Sequence, residues 1–345
     1  MMTYSTTNNW EGTFIIAEAG VNHNGKIHNA IALVDIAVEC GADAIKFQTF
    51  LPGECTGKFA VKVKYMEDVY DDDTSRYEIT QDLTLPLKDF KIISDYCKEK
   101  GIIFISTPDG QESLDFLVND LSVAILKIAS TEVTNLKFLE AVAKKGVATI
   151  YSTGLSTLAE VERGLKVMRK HNNDITVLHC VSDYPAPSNE INLKAMHTIR
   201  DAFGVEVGFS DHTEGDEACV AAVAMGAKVI EKHFTLDRNM PGPDHKASME
   251  PPELKELIRK VRATEQMIGD GVKRRMPSEL GNMTGIRRSV VAVGDLPENH
   301  VLTALNLTCK RPASGIHPYD IDKIIGMKTN RGLKDDEPIK WEDLH

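Results

Sequence analysis

From residue 13 onward a strand-like run and a helix-like run alternate eight times, and no other feature of the chain limits its possible folds as tightly. The strand runs are TFIIAEAG (13–20), DAIKFQT (43–49), IIFISTP (102–108), VAILKIAS (123–130), VATIYSTG (147–154), DITVLHC (174–180), VEVGFSD (205–211) and AKVIEKHF (227–234). Continuous apolar, β-branched runs suit strands covered on both faces, as in a parallel sheet under helices. Amphipathic stretches separate them: IHNAIALVDIAVEC (27–40), LKDFKIISDYCKEK (87–100), NLKFLEAVAKK (135–145), TLAEVERGLKVMRK (157–170) and PPELKELIRKVRATEQMIG (251–269). In the third, Leu136, Leu139, Val142 and Ala143 recur at helical spacing, and Lys144 and Lys145 precede Gly146, a stop signal. Eight such units in about 260 residues is the count of an α/β fold of the (β/α)8, or TIM, barrel type.

In that fold chemistry is built at the C-terminal ends of the strands. Those ends carry Glu18, Lys46, Gln48, Ser106, Thr107, Lys127, Ser130, Ser152, His179 to Ser182, Ser210, His212 and His233. His212 and His233 close VGFSDHT (207–213) and VIEKHFT (229–235), 21 residues apart, with the helix-like EGDEACVAAVAM (214–225) between them. One βαβ step makes the two strands parallel and brings their ends level, so two imidazoles can share one metal ion. A lone histidine there would be read as a strand cap, but a matched pair on consecutive strands favours the metal. Lysine has no structural use at the end of an apolar strand. An unpaired buried ammonium costs several kcal/mol, so Lys46 and Lys127 entering one mouth imply an anion bound between them rather than two chains snorkelling to solvent.

The chain of 345 residues exceeds what one core usually serves, which predicts a large domain and a small one. A formal net charge of −11 argues against nucleic acid and anionic membrane as partners, and makes any anionic substrate depend on a local cluster of Lys, Arg or metal. No apolar run approaches a membrane span, and MMTYSTTNNWEG (1–12) lacks a basic-then-apolar signal pattern, so the expected location is cytoplasmic. The six cysteines have no paired spacing and are read as reduced, with Cys180 as a small buried filler.

Residues 50–85 break the rhythm with thirty-six positions lacking a clear strand, and are read as a lid or subunit contact. Asp71, Asp72 and Asp73 within them read as a solvated acidic turn. The barrel is expected over 1–270. A basic, breaker-rich linker follows over 271–288, and a small module over 289–345. That module repeats itself at an offset of 37: Leu296, Leu302, Asn306 and Leu307 match Leu333, Ile339, Asp343 and Leu344. Its KRPASG (310–315) sets Arg311 on a turn stiffened by Pro312, well placed to grip an anion or sugar.

The motifs EAGVNHNG (18–25), IKFQT (45–49), FISTP (104–108), LKIAS (126–130), YSTG (151–154), HCVSDYPAP (179–187), GFSDHT (208–213), EKHFT (231–235), GPDHKAS (242–248) and KRP (310–312) run in order along residues 13–345. Together they resemble the bacterial sialic acid (N-acetylneuraminate) synthase family, including legionaminate synthases. The resemblance implies a catalytic barrel followed by an antifreeze-like (SAF) domain. It also implies condensation of phosphoenolpyruvate with the open-chain form of an N-acetylated amino sugar, giving a nine-carbon 2-keto acid and phosphate. The cofactor implied is a divalent metal, Mn2+ with Mg2+ or Co2+ as alternatives, on His212 and His233. Lys46, Thr107, Lys127, Ser130, Ser152, Ser182 and Ser210 would hold phosphoenolpyruvate, and Gln48, Tyr184, Asp244 and Arg311 would face the sugar. Glu18 would orient or deprotonate the water that adds at C2, or else support a ligand. Family precedent further implies a domain-swapped homodimer with Arg311 acting in trans.

Two sugars fit the resemblance, N-acetylmannosamine and a 2,4-diacetamido-2,4,6-trideoxymannose. EINLKAMHTIRDAFGVEVGFSDHT (190–213) and PDHKASMEP (243–251) look like the branch shared by neuraminate and legionaminate synthases, while Ser182 stands where some neuraminate synthases have Asn. The alternatives are an aldose-phosphate synthase of the deoxyoctulosonate-phosphate type and a noncatalytic sugar-binding protein. The first needs a further basic cluster at the strand ends; the second would leave the paired histidines and strand-end lysines idle.

Overall fold

The alternation closes on itself. In the computed structural model, which describes residues 12–345 apart from 64, 65, 67, 68 and 72, eight parallel strands form one closed barrel in chain order. They are β1 (Phe14–Gly20), β2 (Ala44–Thr49), β3 (Ile103–Pro108), β4 (Ile125–Ile128), β5 (Ala148–Ser152), β6 (Ile175–Cys180), β7 (Glu206–Asp211) and β8 (Val229–His233). The seam pairs β1 with β8 in register from Phe14 opposite Val229 to Glu18 opposite His233. Most of the opening segment 1–12 lies outside the described residues, as does Asp72 of the acidic triplet.

The barrel interior changes character along its axis because side chains alternate along each strand. Phe14, Ile16, Ala44, Ile105, Ile125, Ile150, Leu178 and Val229 fill the lower interior as one apolar cluster. Two residues further along β1, β2, β3, β4, β5 and β8, the same faces carry Glu18, Lys46, Thr107, Lys127, Ser152 and Glu231. The outward residues meet the helices in a second, larger core. A polar layer thus rests on a packed apolar one, which denies it solvent from below.

Helices follow from local chemistry. Ile27–Cys40 and Leu87–Lys100 present apolar faces to the sheet, and Gly41 ends the first at φ 84°, a backbone region that favours glycine. Thr157 and Glu160 cap Leu158–Met168 reciprocally. The same device, Ser75 with Glu78, starts a helix at Arg76–Leu83 inside the 50–85 segment. Its Ile79 and Leu83 bury against Val21 and Phe50, so part of that segment is packed rather than free. Asp71 and Asp73 are exposed.

The chain divides into two compact units, Met1–Gly269 and Asp270–His345. The second has its own core around Leu296, Leu302, Leu307, Leu333, Ile339 and Leu344. Leu296 and Leu333, equivalent across the 37-residue offset, exchange both backbone hydrogen bonds at 2.8 Å. Each half ends in a short 3-10 turn fixed the same way: Thr303 N donates to Asn306 Oδ1 at 2.8 Å, and Lys340 N to Asp343 Oδ2 at 2.9 Å. Among the described residues no helix is long and apolar enough to cross a membrane.

Candidate active site

Of the fourteen residues to which the resemblance gives a metal, substrate or catalytic role, thirteen, all but Arg311, line one cavity of about 590 Å³ at the C-terminal end of the barrel; Ser106 and His179 do not line it. Arg311 belongs to the second unit, where its Nε donates to the Ile286 carbonyl at 2.8 Å. The floor is an ionic chain. Lys46 Nζ lies 2.7 Å from Glu18 Oε1 and 3.9 Å from Glu231 Oε2, and Lys127 Nζ lies 3.7 Å from Glu231 Oε1. Ser152 Oγ accepts from Lys127 at 2.7 Å, and Ser210 donates to Glu231 at 3.0 Å. Thr107 accepts from Lys46 at 3.4 Å, and Gln48 Nε2 donates to Glu18 at 3.5 Å.

The sequence reading implies an anion bound between the two lysines. A carboxylate of the chain already stands there, and the four charged groups, all under 5 % exposed, balance formally. The signal was present: Glu231 lies two positions before His233 on one strand, hence on the same face.

The two carboxylates are pushed apart in acidity, the pattern that separates a proton carrier from a permanent charge. Burial raises Glu18 to about 7, against the pull of Lys46 and with the repulsion of Glu231. Burial also opposes ionisation of Glu231, yet Lys127 and Lys46 hold it below the ordinary value. Lys127 is lowered by burial, whereas Glu18 and Glu231 overcome burial to hold Lys46 above the usual lysine value. Glu18 can therefore exchange a proton near neutrality while Glu231 stays charged.

Beside this chain stand the histidines, with ring centroids 5.5 Å apart. Tyr184 packs against His212 at 4.1 Å and edge-on to His233 at 5.8 Å. His212 Nδ1 is held by the Val181 carbonyl at 2.7 Å, which leaves Nε2 for an ion, as in metal sites where a backbone oxygen orients the ligand ring. Nδ1 of His233 is buried without a partner among the described residues, as is Oε2 of Glu18. Burial lowers both imidazoles, so both are neutral and able to coordinate. A Cβ at Gly20 would lie 3.3 Å from Glu18 Oε1 and 3.5 Å from both His233 Cε1 and Asp244 Oδ2; the absent side chain lets the three converge. Asp244 is raised to about 6 by burial, partly offset by Lys46. Among the described residues no group of three or more His, Cys, Asp or Glu side chains is placed to hold an ion.

Behind the histidines, a buried pair outside the barrel fixes their strands. Lys232 Nζ meets Asp211 Oδ2 at 2.7 Å and donates to the Thr213 carbonyl at 2.5 Å, while Asp211 also accepts from Thr213 N and Cys219 Sγ. Across the floor, Ser130 Oγ, Cys180 Sγ and Ser182 Oγ crowd around Gly154, whose Cβ would fall 2.2 Å from Ser182 Oγ. Cys180 is buried, as expected, and also lines the cavity.

The NeuB family model matches residues 33–273, and the SAF domain model matches 287–345. The chain belongs to the NeuB family. Within the NeuB family it is 46 % identical to the N,N'-diacetyllegionaminic acid synthase of Campylobacter jejuni over 95 % of this chain and 99 % of that protein. It is 40 % identical to the enzyme of the same name from Legionella pneumophila, over 96 % of this chain and 94 % of that one. A solved N-acetylneuraminic acid (sialic acid) synthetase from Leptospira borgpetersenii superposes with a TM-score of 0.69 at 33 % identity, covering 79 % of this chain and 90 % of that one.

Proposed function

We propose that this NeuB-family chain condenses phosphoenolpyruvate with the open-chain form of an N-acetylated amino sugar. N-acetylmannosamine would give N-acetylneuraminate, or 2,4-diacetamido-2,4,6-trideoxymannose would give N,N'-diacetyllegionaminate, with release of phosphate. The observation that carries this is the meeting, in one cavity, of the His212/His233 pair with the Lys46–Glu18 and Lys127–Glu231 pairs. Kinship with the two legionaminic acid synthases and the sialic acid synthetase supports it.

His212 and His233 would hold a divalent ion, Mn2+ by donor type with Mg2+ or Co2+ as alternatives, whose Lewis acidity polarises the sugar aldehyde. Lys46 and Lys127, with Thr107, Ser130, Ser152, Ser182 and Ser210, hold the carboxylate and phosphate of phosphoenolpyruvate and aim its C3 at that aldehyde. Gln48, Tyr184 and Asp244 face the sugar. As C3 attacks, positive charge grows at C2, which Glu18 and Glu231 stabilise. Water adds at C2 with its proton accepted by Glu18, and phosphate leaves by C–O cleavage. The catalytic barrel of 1–270 is joined by linker 271–288 to the antifreeze-like module of 289–345, and in a domain-swapped cytoplasmic homodimer Arg311 reaches the partner's sugar.

An aldose-phosphate synthase is disfavoured by a rim that carries carboxylates rather than a further basic cluster, and a noncatalytic binder by the ionic floor. The direct test is phosphate release from phosphoenolpyruvate with each of the two sugars, with and without Mn2+. Release is expected to need both sugar and metal; release without sugar would remove the condensation. Deleting 281–345 is expected to leave a folded barrel with greatly reduced turnover, and full activity in that truncation would end the role given to Arg311.

A further inference from the structure

Two segments at the barrel mouth, VNHNG (21–25) after β1 and GPDHKAS (242–248) after β8, carry more polar residues than the cavity uses. Val21, Pro243 and Asp244 line it. Most of the polar remainder meets across the seam where the barrel closes. Asn22 is fully buried, and both hydrogens of its amide are engaged: Nδ2 donates to the Phe234 carbonyl at 2.8 Å and to Ser248 Oγ at 3.0 Å. Ser248 gives its own proton to the Asp244 carbonyl at 2.6 Å, so towards Asn22 its hydroxyl can only accept. The order of donation is thereby fixed, from the β1 loop through Ser248 to the backbone of Asp244.

A second tie runs beside the first. Asn24 Nδ2 donates to the Pro241 carbonyl at 2.8 Å, which turns Oδ1 to receive His245 Nε2 at 3.0 Å. With its proton on Nε2, His245 accepts at Nδ1 from Thr235 Oγ1, 2.6 Å away. Gly242, at φ 150°, makes room: a Cβ there would lie 2.6 Å from His245 Cδ2 and 2.8 Å from Asn24 Oδ1.

The loop that these ties hold has little regular structure of its own. Between the Phe234–Met249 bridge residues it contains a single 3-10 turn, His245–Ala247. No hydrogen bond or salt bridge reaches the Asp244 carboxylate from another described residue, so the place of that carboxylate is set by its backbone. Asn22 also leaves its Oδ1 buried without a partner among the described residues. An unsatisfied buried acceptor is a standing cost that an apolar residue would avoid, which fits a residue serving position rather than stability.

We propose that Asn22 and Ser248, with Asn24 and His245, are positioning residues for acceptor binding: they hold Asp244 where the amino sugar meets it, and phosphoenolpyruvate binding does not depend on them. This rests on the synthase reading above, in which Asp244 faces the sugar, and adds the residues that aim it. The separation follows from the fold. Lys46 and Lys127, assigned to phosphoenolpyruvate, lie on β2 and β4 and are spaced by Glu18 and Glu231 rather than by either loop.

The test is steady-state phosphate release at fixed Mn2+, varying each substrate in turn. The sugar is whichever of N-acetylmannosamine and 2,4-diacetamido-2,4,6-trideoxymannose the unsubstituted protein turns over faster. Ser248→Ala removes the hydroxyl link and leaves Asp244 itself in place. Asn24→Gly breaks the second tie at a half-buried position whose φ of 51° suits glycine, which guards against a variant that fails to fold. Each is expected to raise KM for the sugar about 10-fold, the size of one net hydrogen bond, while KM for phosphoenolpyruvate stays within about twofold. A purely structural role would lower the melting temperature and kcat without separating the two KM values. An unchanged sugar KM in both variants overturns the proposal, as does an equal rise in both KM values. No phosphate release by the unsubstituted protein with either sugar overturns the synthase reading itself, which keeps the two failures apart.

Discussion

Replacing His212 and His233 together by alanine is expected to lower turnover by at least about 10³, roughly 4 kcal/mol of transition-state stabilisation, and to abolish Mn2+ binding in a calorimetric titration. The two rings stand 5.5 Å apart at their centroids, and Val181 aims one of them through its carbonyl. Both are kept neutral by burial, so they meet an ion without first losing a proton. The variant is expected to keep its fold, because the Asp211–Lys232 pair that holds the same strands is untouched. Unchanged Mn2+ affinity in the double variant would remove the metal from these two residues.

Substituting Glu231 acts on both stability and rate. Glu231→Ala leaves Lys46 with Glu18 and leaves Lys127 with no carboxylate within 4 Å among the described residues, each lysine being at most 3 % exposed. Removing one partner of a buried ionic group costs about 3–5 kcal/mol, since the remaining charge stays buried uncompensated. The barrel's melting temperature is expected to fall accordingly, and turnover by at least about 10², because the lysines proposed to grip phosphoenolpyruvate lose their fixed spacing. Inorganic phosphate offers a second readout. It is expected to restore more stability to Glu231→Ala than it adds to the unsubstituted protein, by replacing the missing negative charge. A variant that melts normally and gains nothing from phosphate would show that Glu231 does not hold the lysines.

The barrel was legible because its strands are buried on both faces and so read as unbroken apolar runs; the runs read from sequence overlie all eight strands, differing at their ends by a residue or two. Lys46, Lys127, His212 and His233 stood out because strand ends of that composition have no packing reason to carry them. Glu231 did not, since a single carboxylate inside an apolar run is marked as inward-facing only by its two-residue spacing from His233 on β8. The helix Arg76–Leu83 was missed although Ser75 and Glu78 spell a capping box, because acidic and aromatic residues hide its short apolar face. The Asp211–Lys232 pair was invisible for another reason. Those residues share a layer only through the register between β7 and β8, which spacing alone does not give.

The closure of β1 against β8 has a bearing on how the molecule is born. Glu18 and His233 are neighbours across that seam yet stand at opposite ends of the barrel's stretch of chain, so a ribosome releases one long before the other. Contacts of such sequence separation form late and slowly. A nascent chain short of its eighth strand therefore carries lysines and carboxylates without a ring to enclose them, and the reaction centre is completed by the last stave to arrive.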